Sequence, residues 1–237
     1  MASVGTRAKT AVEQRSPLSR DRVLRAAVAL ADASGIGAVT MRRLAEELGA
    51  EAMSLYYHVA NKEQLLDGVV EIVAGEINDA VAAISLPTRG KAWKKAARER
   101  ILTARRVLLR HPWAPAVFES RTNTSPSVLL YFDGLIGIMR DGGFSNDLCH
   151  HAMHALGSRA LGFTQELFSP GDGPADGEPD PVMAGLMERL PHLVGMLAEV
   201  AHDDPDATLG WCDDQTEFEF GLDIVLDGLD RAASSSH

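Results

Sequence analysis

The chain has 237 residues, 46% of them apolar and 24% charged, enough for two compact units or one large one. Glycine and proline are not extreme, and no apolar run reaches the ~18 residues of a membrane helix, which excludes fibrous, disordered and helical membrane classes. The net charge of −10 is unevenly placed: residues 1–62 hold 9 Lys and Arg against 6 Asp and Glu, a net of +3, and the remainder carries −13. A weakly basic front on an acidic body suits a protein that meets phosphate with one end only.

Residues 1–18 form a polar arm with Arg7, Lys9 and Arg15. The arm has no apolar core, so export is not expected, and a cytoplasmic chain is. It could reach a DNA groove, although a floppy terminus is the simpler expectation. Ser19 is placed to cap a first helix through about Ser34, with Val23, Leu24, Ala27, Leu30 and Ala31 inward and Gly35 and Gly37 at its end.

Thr40 should cap the next helix, on which Leu44, Ala45 and Leu48 recur at helical spacing. Gly49 falls where that helix must stop, because glycine enters the left-handed conformation without a Cβ clash. Residues 50–58 can form a second short helix with Leu55 inward. Asn61 caps a third helix and Gln64 follows three residues on, a variant of the reciprocal capping pair. Two helices crossing over a glycine turn, the second with small and polar residues outward, make the helix-turn-helix pattern.

The third helix should run to about Ile84. Its apolar set (Leu65, Leu66, Val69, Val70, Ile72, Val73, Ile77) is wider than a three-helix head needs, so it should continue as a connector into a body. Leu86-Pro87 and Gly90 mark a boundary. Helices are then expected over 91–110 (basic and amphipathic), 113–120, 125–141, 145–168, 182–202 and 213–231. The stretch 169–181 has too much Gly, Pro and Asp to pack and should be a mobile loop. The acidic residues of 203–230 are expected to form a solvated face. With no sustained strand alternation, the fold class is all-α. The domain division is an arm over 1–18, a head over 19–66 and a helical body over 67–237.

The pattern L-A-x-x-L-G at 44–49, followed by L-Y-x-H-x-x-N-K-x-x-L-L at 55–66, resembles the tetracycline-repressor (TetR) family of transcriptional regulators. Residues 218–230 (FEFGLDIVLDGLD) and 142–145 (GGFS) are similar to the last helix and a turn of its tetracycline-repressor branch. The resemblance implies a homodimer paired through its C-terminal helices, double-stranded DNA with a palindromic operator as partner, and a small-molecule inducer in the body. It implies a regulator rather than an enzyme, with no cofactor and no membrane partner.

At the DNA end the resemblance carries Arg42 and Arg43 to the opening of the first motif helix, where a guanidinium can fork onto guanine or phosphate. Ala52, Met53 and Ser54 fall on the leading face of the second. Ala52 and Met53 offer only methyl-type contacts, so hydrogen-bond readout should be sparse. Tyr56, Tyr57 and His58 fall near the strands, with one tyrosine packing the head because the two diverge by about 100°. Lys62, at the start of the next helix, should clamp a phosphate.

In the tetracycline branch a histidine and a glutamate serve the drug-bound magnesium. The matching positions here are Phe118 and Glu166, while Arg100 and Leu135 replace amide side chains. The resemblance thus implies loss of that site and an apolar, aromatic cavity: Phe118, Leu135, Met139, Met153 and Phe163, with Arg100, His154 and Glu166 as polar groups. That Phe118, Leu135 and Met139 are simply core stays open at this point.

His150 and His154 are one turn apart and could share an ion, but spacing supplies no third ligand, so no metal is expected. Cys149 and Cys212 lack metal or redox spacing and should be free thiols. The main expectation is a repressor released by its inducer. An activator or ligand-independent regulator would need the same head. An enzyme or carrier with a vestigial head would have only His154 and Glu166 as a pair, and these are too far apart on one helix to meet.

Overall fold

The computed structural model describes residues 17–122, 125–163, 189–192, 194–195 and 214–235. Among these, every regular element is helical. The helices are α1 (Arg20–Ser34), α2 (Met41–Leu48), α3 (Ala52–Leu55), α4 (Lys62–Ala82), α5 (Trp93–Leu108), α6 (Ala114–Ser120), α7 (Pro126–Asp141), α8 (Asn146–Leu156) and α9 (Asp214–Ser235).

The helix starts are written in side-chain oxygens. Ser19 accepts from the Arg22 N–H, Thr40 from Arg43, Asn61 from Gln64, Ser125 from Val128 and Ser145 from Leu148, each satisfying a donor that the first turn leaves orphaned. The reciprocal arm at α4 differs from expectation: Gln64 Oε1 accepts from the Ala60 N–H at 3.1 Å, one residue before the cap. Gly49 closes α2 at φ 60°, ψ 40°, the left-handed conformation in which a Cβ would be strained.

The second motif helix is shorter than the expected 50–58. It ends at Leu55, whose carbonyl takes both the His58 and Val59 N–H groups at 2.9 Å and turns the chain. Val59 rather than a tyrosine then enters the core, at 1% exposure.

The expected helix over 145–168 is also cut short. At Gly157 the backbone takes φ 52°, ψ −131°, and a 3-10 segment (Gly157–Leu161) follows. The expected loop over 169–181 lies outside the described residues, as do most of 182–202 and all of 203–213.

Two apolar clusters hold the chain. The first runs from Leu24, Leu44 and Leu55 of the head through Val69, Val73 and Ile77 of α4 to Val107, Val117 and Val128. Helix α4 belongs to both head and body, because its buried set faces both. The second cluster joins α5, α7, α8 and α9 through Trp93, Ile101, Leu135, Met139, Phe144 and Leu222.

Part of the acidic face of α9 is paired while staying a third to a half exposed. Arg98 forks onto Asp223 (2.7 Å) and reaches Glu219 (2.6 Å), Lys94 bonds Asp227, and the Trp93 indole N–H donates to Asp230 at 3.0 Å. The basic stripe of α5 finds its complement on α9, a match between helices more than a hundred residues apart.

Candidate nucleic-acid interface and ligand cavity

At the head, helix packing buries Leu44, Ala45 and Leu55 and pushes polar residues outward. Arg42 is 89% exposed and held only by a within-helix pair with Glu46. Arg43 folds back, its guanidinium donating to Ser34 Oγ of α1 at 3.2 Å. On α3, Met53 is 70% exposed, Ala52 is half-buried against the first core, and Ser54 donates its hydroxyl to the Glu51 carbonyl.

Neither tyrosine packs the head. Tyr56 is 43% and Tyr57 90% exposed, because the helix ends before them. His58 is half-buried, and Lys62 is exposed as the first residue of α4.

In the body, a cavity of about 270 Å³ lies between α4, α6, α7 and the 3-10 segment. Its apolar wall is Val70, Phe118, Val128, Phe132, Leu161 and Phe163, and its polar rim includes Arg121, Ser125 and Ser158. An adjoining cavity of about 420 Å³ shares Val70, Arg121 and Ser125 and extends to Arg20 of α1.

Of the eight residues expected around a ligand, Phe118 and Phe163 line this space. Leu135, Met139 and Met153 pack instead in or against the second cluster, since α7 turns their side of the bundle toward Trp93 and Phe144. His154 is exposed on α8. Arg100 lies across α7, donating to the Tyr131 carbonyl at 2.9 Å with its guanidinium 4.7 Å from the Tyr131 ring. Burial lowers the Arg100 guanidinium from its usual range, and its Nε has no hydrogen-bond partner. Glu166 lies outside the described residues.

Val70, Phe132 and Arg121 were missed. The i, i+4 pair Val128 and Phe132 was the available signal.

Arg121 ties this cavity to the head. Its side chain is 12% exposed and bonds Glu63 at 2.6 Å and Asp67 at 3.3 Å, both in the first two turns of α4. Glu71, on the rim, accepts from the Ser125 and Ser127 hydroxyls at 2.5 Å each. Burial pushes its carboxyl up, but these bonds and the Ser127 N–H outweigh that and hold it below the usual range.

A carboxyl with a lowered folded-state pKa stabilises the fold above the ordinary glutamate range, about pH 4.3, and loses that contribution as pH falls through the lowered value. The stability difference between the native chain and Glu71→Gln should therefore be flat at neutral pH and shrink in acid. Urea titrations across that range would show it; a gap that widens in acid would contradict the assignment.

The rings of His150 and His154 stand 4.6 Å apart on the exposed side of α8. Among the described residues no cluster of three or more His, Cys, Asp or Glu is arranged for an ion. Cys149 is buried, which pushes its thiol up.

The profile described as "Tetracyclin repressor-like, C-terminal domain" matches residues 86–232, and "Bacterial regulatory proteins, tetR family" matches residues 23–69. The chain belongs to the tetracycline-repressor family of transcriptional regulators.

An HTH-type transcriptional regulator of Saccharopolyspora erythraea is 35% identical over 127 residues, 54% of this chain and 51% of that one, so the match spans about half of that relative. The class D tetracycline repressor of Escherichia coli is 29% identical over 219 residues, covering 90% of this chain and 89% of the repressor. ActR of Streptomyces coelicolor, solved in complex with (S)-DNPA, is 25% identical, with TM-score 0.64, over 92% of this chain and 100% of that one.

The helical head is therefore a DNA-binding helix-turn-helix, and the family regulates transcription in response to ligands. No described helix is long and apolar enough to cross a membrane.

Proposed function

We propose that the chain is a homodimeric repressor, acting in the cytoplasm on a palindromic operator and released from it by an aromatic small molecule. The observation that carries this reading is the position of Arg121. It borders the phenylalanine-lined cavity and holds Glu63 and Asp67, immediately after Lys62. A ligand that seats among Phe118, Phe132 and Phe163 and shifts Arg121 moves the start of α4. Helix α4 is rooted in both parts, so the head of 19–66 moves relative to the body of 67–237. Such a ligand releases DNA only by binding the displaced arrangement better.

The aromatic wall supports an apolar, planar inducer, and Phe118 supplies no metal ligand where the tetracycline branch has one. The complex of ActR with (S)-DNPA supports a small-molecule ligand for a chain of this architecture. Exposed Phe220 (64%) and Ile224 (54%), one turn apart on α9, support pairing through the C-terminal helices.

Arg42 and the exposed Met53, Tyr56 and Tyr57 form the DNA-facing surface, with Arg43, Ala52, Ser54 and His58 beside it. On the leading face of α3, Ala52 and Met53 offer a base edge only methyl-type contacts, so phosphate clamps and DNA shape carry much of the specificity.

Retardation of the DNA upstream of the chain's own gene, with and without aromatic ligands, tests the whole reading; absence of any shift at low salt would count decisively against it. Lys62→Ala should weaken binding alike on all sequences and lower the salt slope by about 1. An unchanged slope would remove Lys62 from the phosphate contacts.

A further inference from the structure

The turn between α5 and α6 places a histidine against both the head and the connector. His111 follows α5, its backbone fixed at both ends: its N–H donates to the Leu108 carbonyl and its carbonyl accepts from Ala114, each at 2.8 Å. The ring is 7% exposed. Nδ1 lies 2.7 Å from Oδ1 of Asp32, near the end of α1, and Nε2 lies 3.3 Å from Oε2 of Glu76 on α4. The Trp113 indole N–H donates to the same Asp32 oxygen at 2.7 Å, and Arg110 reaches the same Glu76 oxygen at 3.1 Å. Arg25 of α1 also feels the Glu76 charge.

Ionised carboxylates only accept hydrogen bonds. A ring with a carboxylate oxygen at each nitrogen makes both bonds only when both nitrogens carry protons.

We infer that His111, bridging Asp32 and Glu76, is the joint that holds α1 and α4 in register with the body, and that it positions the DNA-binding head. Neither carboxylate belongs to the turn that carries His111: one comes from the head helix and the other from the connector. The joint therefore closes only in one arrangement of head, connector and body. Only the ring is buried, and the carboxylates are about a third exposed, so the contacts act by specifying geometry more than by adding net stability. The same groups lie apart from the cavity and from the Arg121 tie, so the head is held at two separate points.

With the joint opened, only part of the population holds its head in the DNA-competent position, and apparent operator affinity falls by that fraction. Asp32 stands on the exposed side of α1, where alanine is a good helix former; Asp32→Ala also removes the partner of the Trp113 indole, and Asp32→Asn, which keeps an acceptor for it, is the companion variant.

The measurements use the intact chain: operator affinity by fluorescence anisotropy on the upstream DNA, and amide exchange of the free protein. Asp32→Ala and His111→Asn should each weaken operator binding roughly tenfold, with the double variant no worse than the weaker single, because both open one joint. Amides of α1 should exchange faster in each variant while those of α9 keep their rates.

Losses that multiply in the double variant would overturn the inference. So would α1 exchange that does not change, or α9 exchange that accelerates as much as that of α1. The operator arm rests on the repressor reading. Should the native chain bind no DNA, that reading fails, and the exchange arm still decides the joint.

Discussion

Gly162→Ala should be the most damaging single methyl in the body. Gly162 is buried at φ 90°, and a Cβ there would lie 2.5 Å from the Arg105 backbone N and 2.7 Å from its Cα. Those atoms belong to α5, whose own hydrogen bonds prevent it from giving way. Backbone strain adds to the overlap, so a loss of about 3–5 kcal/mol is expected. At this chain length that corresponds to a fall in Tm of roughly 10 °C.

The same displacement would disturb Arg105. That residue is 8% exposed, bonds the Gly162 carbonyl and the Gln215 side chain, and lies over the Phe218 ring at 4.2 Å. Phe163 would move with it, and the cavity would lose one of its walls. Gly157→Ala is the control: its φ of 52° is also left-handed, but a Cβ there meets nothing within 4 Å. At φ 52°, ψ −131°, a conformation L side chains rarely adopt, strain alone should cost about 1–3 kcal/mol. Equal melting temperatures for the two variants would show that the approach to α5 is not what restricts position 162.

Leu55→Ala should abolish operator binding while leaving the body helical. Helix α3 has four residues, and Leu55 is its buried anchor, at 0% exposure in the cluster that holds Leu44 and Val59. Truncating a buried leucine costs about 2–5 kcal/mol, a large share of what a small helical head can supply. The exposed face of α3 would then lose its fixed angle, and operator affinity should fall by more than roughly a hundredfold. The far-ultraviolet signal should change little, since most helical residues lie beyond the head. Binding within about threefold of the native chain would show that α3 is held by something other than its leucine.

Much of this architecture was legible along the chain. The caps at Ser19, Thr40 and Asn61, the stop at Gly49 and the inward faces of α1, α2 and α4 all follow from local rules. A hydroxyl or amide satisfies orphan N–H groups, glycine alone turns left-handed without strain, and apolar residues recur with the helical period. The motif at 44–66 is local in the same sense, which is why the helix-turn-helix was legible from sequence. The tyrosines were the exception. Whether Tyr56 or Tyr57 packs inward depends on where α3 ends, and the Leu55 carbonyl decides that by taking two N–H groups.

The cavity was the least legible part. Phe118 and Phe163 border it, but Leu135, Met139 and Met153 are apolar residues of the same kind turned to the other cluster. Composition cannot distinguish a residue that lines a space from one that fills it. The acidic residues of α9 misled for a related reason: their periodicity is that of a solvated face, and only the arrival of Arg98 and Lys94 from α5 gives them partners.

The sequence by itself determined the helices, their starts, and the motif that makes this a DNA-binding regulator, because each rests on contacts within four or so residues. The tertiary structure alone decided which aromatic residues border the cavity and which charges pair. It also brought Asp32, Glu76 and His111 together from α1, α4 and the turn after α5. Those outcomes depend on which helix faces which, and no local rule along the chain contains that.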